Sequence, residues 1–166
     1  SLLCFWPHPE ALFHPDRFQL LTSLEQKLDQ IHLLGIERVY VQDFTMEFSK
    51  VSPQDFLRQY LSIFRDLRGV QVGYDFHFGQ NGHGDFGLMK KHFNPKKTSL
   101  EQSSAFKKDG VVVSSSSIRD LIEKGQMEKV PPSLGRFYSL KGRVKKGAAL
   151  GRTLGFPTAN IGDIQT

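Results

Sequence analysis

Short apolar runs alternate with segments of helical period along the chain as far as Pro131-Pro132, and no other feature limits the fold as strongly. Residues 2–6, 38–41, 69–73 and 111–113 read as strands, each brief and rich in β-branched or aromatic side chains. Between the first two, Thr22 with Glu25 three positions on predicts a capping box. Leu24, Leu28, Ile31 and Leu34 then follow at helical spacing as far as Gly35. Ser52 with Pro53 at the first helical position opens a second helix, with Phe56, Leu57, Tyr60, Leu61 and Phe64 on one face. A short helix is expected over 84–92, a polar edge strand over 98–106, and an amphipathic helix from Ile118 to Gly125. Strand–helix alternation of this kind predicts an α/β fold with a parallel sheet and helices on both faces.

In such sheets ligands collect at the carboxyl ends of the strands. Three unusual stretches lie there: Pro7-His8-Pro9, the loop from Gly73 to Asp85, and the serine run ending in Arg119. The loop joins Gly73, Asp75, Phe76, Phe78 and Gly79, so flat surfaces and polar tips accompany backbone that can approach a ligand closely. A plain surface connection between strand and helix is the alternative. Ser114, Ser115, Ser116 and Ser117 follow a β-branched run and open a helix. That arrangement offers free N–H groups, hydroxyls and the positive end of the helix dipole, and Arg119 can add a bidentate contact to a phosphate. An N-cap in a serine-rich loop is the alternative there. His8, held between two prolines, suits a phosphate donor better than a metal ligand. No histidine pair has a helical metal-binding spacing.

After Pro131-Pro132 the pattern changes to alternation over 138–144 and a series of glycines, which reads as the start of an all-β unit. Within it Gly151, Arg152, Gly155 and Pro157 precede Thr158 and Asn160, two apart on an extended segment. Small oxygen-bearing side chains on one side suit Mg²⁺ and the phosphates it holds. A turn followed by an edge strand is the alternative, and no Walker A lysine follows the glycines.

Composition is that of a soluble globular protein, with 39% hydrophobic and 23% charged residues. A single cysteine, Cys4, excludes an internal disulfide framework and fits a reducing, cytoplasmic setting. No apolar run is long enough to span a membrane. The net charge of +5 implies an anionic partner, and its densest strip is Lys141, Arg143, Lys145, Lys146 and Arg152.

Taken in order, these motifs resemble the prokaryotic bifunctional riboflavin kinase/FMN adenylyltransferase family, also called FAD synthetase. The residues that carry the likeness are Phe5-Trp6-Pro7-His8-Pro9, Leu21-Thr22 with Glu25 and Lys27, the 73–79 loop with Gly84-Asp85, and Ser114 to Arg119. Leu134-Gly135-Arg136 with Tyr138 and the 151–161 string follow. The resemblance implies a nucleotidylyltransferase-type, Rossmann-like domain over 1–133 and the beginning of a β-barrel riboflavin kinase domain over 134–166, both incomplete.

It implies FMN and FAD biosynthesis by two transferase activities. Riboflavin is phosphorylated by ATP to FMN, and FMN is adenylylated by a second ATP to FAD with release of pyrophosphate. His8, Ser114, Ser115, Ser116, Ser117 and Arg119 then belong near the ATP phosphates of the adenylyltransferase. Gly73, Asp75, Phe76, Phe78 and Gly79 belong against flavin and nucleotide, facing that cradle across the sheet. Gly151, Arg152, Gly155, Pro157, Thr158 and Asn160 belong to ATP and Mg²⁺ binding in the kinase, with Thr158 and Asn160 next to the metal. The expected partners are these small molecules, without membrane or nucleic acid; self-association is open.

The chain departs from the family pattern at several points. It has no Gly-x-Phe-Asp-Gly-x-His-x-Gly-His segment, and Ser117 stands where threonine is more usual. The kinase glutamate expected as general base would lie beyond Thr166, so no catalytic residue is assigned. The expectation is a fragment inactive alone. The alternatives are another nucleotidylyltransferase of the same fold and a basic nucleic-acid-binding module using the 141–152 strip.

Overall fold

The computed structural model describes residues 1–61, 63–64, 66–147, 155–156 and 158–164. They form a mixture of short helices and two-stranded ladders in two compact units, one from Ser1–Gln42 with the described residues of 114–166, the other Asp43–Val113.

In the first unit, strand β1 (Leu2–Trp6) pairs with β2 (Val39–Asp43). Between them lie helix α1 (Pro9–Phe13) and helix α2 (Leu24–Leu33). Helices α5 (Ser115–Glu123) and α6 (Val130–Leu134) follow later in the chain, and strands β7 (Arg143–Lys145) and β8 (Asn160–Gly162) close it as an antiparallel pair. Cys4, Ile31, Ile118 and Val130 are buried, one from each of β1, α2, α5 and α6. Helix α2 begins at Ser23, whose hydroxyl accepts from the Gln26 N–H while the Gln26 side chain accepts from the Ser23 N–H. The capping box is therefore Ser23 and Gln26, one residue beyond the Thr22–Glu25 pair, which satisfies the same sequence rule. The burial of Ser23 distinguishes the two. Gln26 also uses its amide N–H to reach the Ser139 carbonyl at 3.2 Å, and Lys141 forms an ion pair with Glu25.

The second unit is built around aromatic rings. Ser52 caps helix α3 (Pro53–Asp55) as its sequence predicts, and the helix runs on as a π-helical turn, Phe56–Leu61. Phe56 lies 5.4 Å from Phe78 and 6.3 Å from Phe48, and Phe48 lies edge-on to Tyr60 at 4.9 Å. Leu57, Leu61 and Met89 complete the buried set. Strand β3 (Gly69–Val72) runs parallel to β4 (Ser99–Gln102), and helix α4 (Phe86–His92), capped by Asp85, forms the crossover between them. This is the strand–helix–strand unit that the alternating pattern implies.

One expectation needs correction. Val111-Val112 does not extend a parallel sheet; it is strand β6 (Val111–Val112), antiparallel to β5 (Lys107–Lys108). The turn residues Asp109 and Gly110 have φ of 51° and 79°. That is the backbone a two-residue hairpin requires, and Asp-Gly supplies it at low cost. Pro131 and Pro132 lie in the first turn of α6, where a missing N–H costs nothing. Gly135 ends that helix with φ of 75°.

Gly79 is a point where the second unit tolerates only glycine. Its φ is +70°, and a Cβ there would sit 2.6 Å from Pro53 Cα. Gly79→Ala is expected to destabilise the protein by about 2–4 kcal/mol, backbone strain plus overpacking against main chain. Denaturant unfolding of wild type and variant measures the change.

Candidate functional site

The first cluster joins residues a hundred positions apart. His8 is the N-cap of α1: its Nδ1 accepts from the Glu10 N–H at 3.2 Å. This bond places the neutral ring's proton on Nε2, leaving an N–H donor at the other edge. The ring stacks on Phe18, centroids 4.7 Å apart and planes 16° from parallel. Arg119, in the second turn of α5, lays its guanidinium carbon 4.2 Å from the centroid of the same Phe18. Its Nε–H donates to the Gln19 carbonyl at 2.6 Å.

Burial of the ring holds the His8 pKa below the ordinary histidine range, with repulsion from Arg119 and then Lys27 adding to it and Glu10 opposing it. Burial also lowers Arg119, opposed by Glu123, but the guanidinium remains a cation at any working pH. The cluster thus pairs a fixed positive charge with a neutral N–H donor, a combination suited to phosphate oxygens.

The serine run divides its labour. Ser114 is the N-cap of α5: its hydroxyl accepts from the Ser117 N–H at 3.1 Å. The Ser117 hydroxyl in turn accepts from the Ser114 N–H and donates to the Ser114 carbonyl at 2.8 Å. These two hydroxyls are committed to the cap. Ser115 and Ser116 are exposed at the first two helical positions, where N–H groups have no acceptor inside the helix. They offer the groups that can meet an anion.

The glycine–aromatic loop belongs to the second unit. The Phe76 N–H donates to the Gly73 carbonyl, and Gly73 lets the Asp75 carboxylate fold over it, 3.3 Å from where a Cβ would stand. Asp75 is exposed and Phe76 half-buried. Phe78 is only 5% exposed, so its ring faces the protein interior beside Phe56 and not an open wall. Its N–H and carbonyl pair with Gly84, whose missing Cβ makes room for the ring. Gln80 ties the loop to the Val51 carbonyl at 2.7 Å. The accessible surface of the loop includes Gly73, Tyr74, Asp75, His77 and the outer part of Phe76; Phe78 and Gly79 hold it in place.

In the C-terminal stretch, Lys145 pairs with Asn160 across the β7–β8 ladder, and the Asn160 carboxamide lies against the backbone of Gly147, where a Cβ would collide with it. Gly155, Thr158 and Asn160 are exposed, while Gly151, Arg152 and Pro157 lie outside the described residues. The basic strip is partly neutralised: Lys141 pairs with Glu25 and Lys145 with Asp163. Paired cations make a poor track for a polyanion, which weakens the nucleic-acid alternative. No described helix is long and apolar enough to cross a membrane.

Sequence reasoning passed over Phe18 and Gln19. They belong to no periodic segment, and only the fold brings them to Arg119.

Comparison with known families decides between the readings. The FAD synthetase family model matches residues 1–117, and the riboflavin kinase model matches 134–166. The chain belongs to the FAD synthetase family. Curated bifunctional riboflavin kinase/FMN adenylyltransferases from Listeria monocytogenes and Bacillus subtilis are each 36% identical to it over 165 and 166 residues, covering 97% and 98% of this chain. The Escherichia coli protein of the same name is 32% identical over 161 residues, covering 96% of the chain. The chain spans about half the length of these curated relatives, 51% in each case. A solved structure titled as a macrolide-efflux protein from Streptococcus pneumoniae superimposes with a TM-score of 0.84, over 99% of this chain and 54% of that one. At 24% identity that likeness concerns the fold alone.

Within this FAD synthetase family member, the His8 environment has a measurable signature. NMR titration of the His8 ring is expected to give a midpoint below the usual value of about 6.5 and to move part of the way back in Arg119→Gln. The unfolded chain takes up this proton first. His8 therefore leaves stability unchanged above the unfolded value and lowers it as pH falls from there through the folded value. A midpoint at or above the usual value would contradict the packing described.

Proposed function

We propose that this chain is part of a bifunctional enzyme that phosphorylates riboflavin with ATP to FMN and adenylylates FMN with a second ATP to FAD, releasing pyrophosphate. The tandem order of an FAD synthetase match and a riboflavin kinase match in one chain carries the reading. In this reading residues 1–133 belong to a Rossmann-like adenylyltransferase domain, and 134–166 begin the kinase barrel. The expected setting is the cytoplasm.

In FAD formation the FMN phosphate attacks the α-phosphorus of ATP, and the protein's task is positioning and charge neutralisation. Arg119 supplies the fixed cation, His8 the Nε2–H donor, and Ser115 and Ser116 helix-terminal N–H groups, with Ser114 and Ser117 shaping that terminus. Asp75 and Phe76, with the backbone at Gly73, are the flavin- and nucleotide-facing part of the loop. Phe78 and Gly79 serve by holding the loop's shape.

In the kinase segment Thr158 and Asn160 offer a hydroxyl and a carboxamide oxygen, the hard-donor chemistry that suits Mg²⁺. These two would hold the ion, and Gly151, Arg152, Gly155 and Pro157 belong to the surrounding ATP site. Bound Mg²⁺ supplies positive charge against phosphate oxygens. Asn160, held against Gly147, keeps its carboxamide from wandering.

The test uses the full-length protein, with FMN and FAD formation from riboflavin and ATP followed chromatographically. Arg119→Ala is expected to lower kcat/KM for ATP in FAD formation about tenfold to a hundredfold, the loss of charged hydrogen bonds, and to spare riboflavin phosphorylation. Asn160→Ala is expected to do the reverse. Equal loss of both activities in either variant would count against two separable sites.

A further inference from the structure

We propose that Phe18, together with the backbone carbonyl of Gln19, is the positioning element that sets His8 and Arg119 for the ATP phosphates; this rests on the adenylyltransferase reading above. His8 caps α1 and Arg119 lies in the second turn of α5, and no direct hydrogen bond between them fixes their spacing. What they share is one aromatic ring. His8 stacks on it at 4.7 Å, and the Arg119 guanidinium carbon stands 4.2 Å from its centroid. A free arginine side chain samples many rotamers, and ordering it is costly. Here the Nε–H bond to Gln19 at 2.6 Å and the aromatic contact remove most of that freedom in advance.

The division of donors supports the same conclusion. Arg119 spends Nε–H on Gln19 and retains its two terminal amino groups, the ends that make bidentate contacts to phosphate. His8 spends Nδ1 on Glu10 and retains Nε2–H. Each residue is anchored by the nitrogen that a ligand does not need. Burial of the imidazole in this cluster favours its neutral form, so the neighbouring cation is not opposed by a second charge. A phenylalanine whose only task was to fill space would not need to touch both.

The experiment measures steady-state FMN adenylylation and riboflavin phosphorylation by the full-length protein, with thermal melting as a check on folding. Phe18→Leu keeps apolar volume and removes the aromatic face. It is expected to raise the ATP KM of FAD formation by about fivefold or more, the size of a partly desolvated cation–π contact, with a much smaller change in kcat. Riboflavin phosphorylation should not change. Phe18→Tyr, which restores the ring, should return the ATP KM to the wild-type value.

The proposal is overturned if Phe18→Leu leaves that KM unaltered, or if Phe18→Leu and Phe18→Tyr lower both activities alike along with the melting temperature. Arg119→Ala separates this inference from the reading beneath it. If Arg119→Ala weakens ATP use and Phe18→Leu does not, only the positioning role falls. If wild-type protein makes no FAD, or Arg119→Ala is silent, the adenylyltransferase reading falls and this inference with it.

Discussion

Helices this short depend on how their first turn is closed. None of the helices described exceeds ten residues, a length at which helical propensity alone sustains little structure in water. Five of them begin at a side chain that accepts from a first-turn N–H: His8, Ser23, Ser52, Asp85 and Ser114. Each cap removes an orphan donor and fixes the angle at which the chain enters the helix. Within each unit the candidate residues inherit their geometry from those angles. His8 is itself a cap, Ser114 and Ser117 shape the terminus that leaves Ser115 and Ser116 free, and Ser52 sets Pro53 where Gly79 must pass beneath it.

The same economy explains the glycine–aromatic loop. A loop with three aromatic rings and several glycines cannot be both a rigid support and an open binding wall at every residue. Phe78 is turned inward to Phe56, Gly84 gives up its side chain to that ring, and Gly79 yields to Pro53. What remains outside is short and mostly polar. Burial, not residue type, separates the supporting members of the motif from those free to meet a ligand.

Much of this was legible in the residues. Ser52-Pro53 marks a helix start because few other pairs offer both a cap and a pre-set φ. Apolar spacing at 24, 28 and 31 and over 118–122 marks helical faces, with Ile31 and Ile118 buried, while Leu34 at the end of α2 is 80% exposed. The first capping box was displaced by one position, since Thr22–Glu25 and Ser23–Gln26 obey the same rule and only packing chooses between them. The Asp109-Gly110 hairpin was written plainly in its dipeptide, yet the valines after it read as a sheet strand when taken alone. Phe18 could not be read at all. Its importance lies in a contact with a residue a hundred positions away, and no local pattern encodes that. The 151–154 part of the kinase string was legible only as sequence, for it lies outside the described residues.

Gln26 has a consequence that reaches beyond its own helix. Its carbonyl oxygen closes the first turn of α2 while its amino group holds Ser139, in the segment that matches riboflavin kinase. A single planar amide cannot turn away from one partner and keep the other. Rotation of that one amide therefore costs a bond at the start of α2 and a bond to Ser139 together, which couples the two segments through a single side chain.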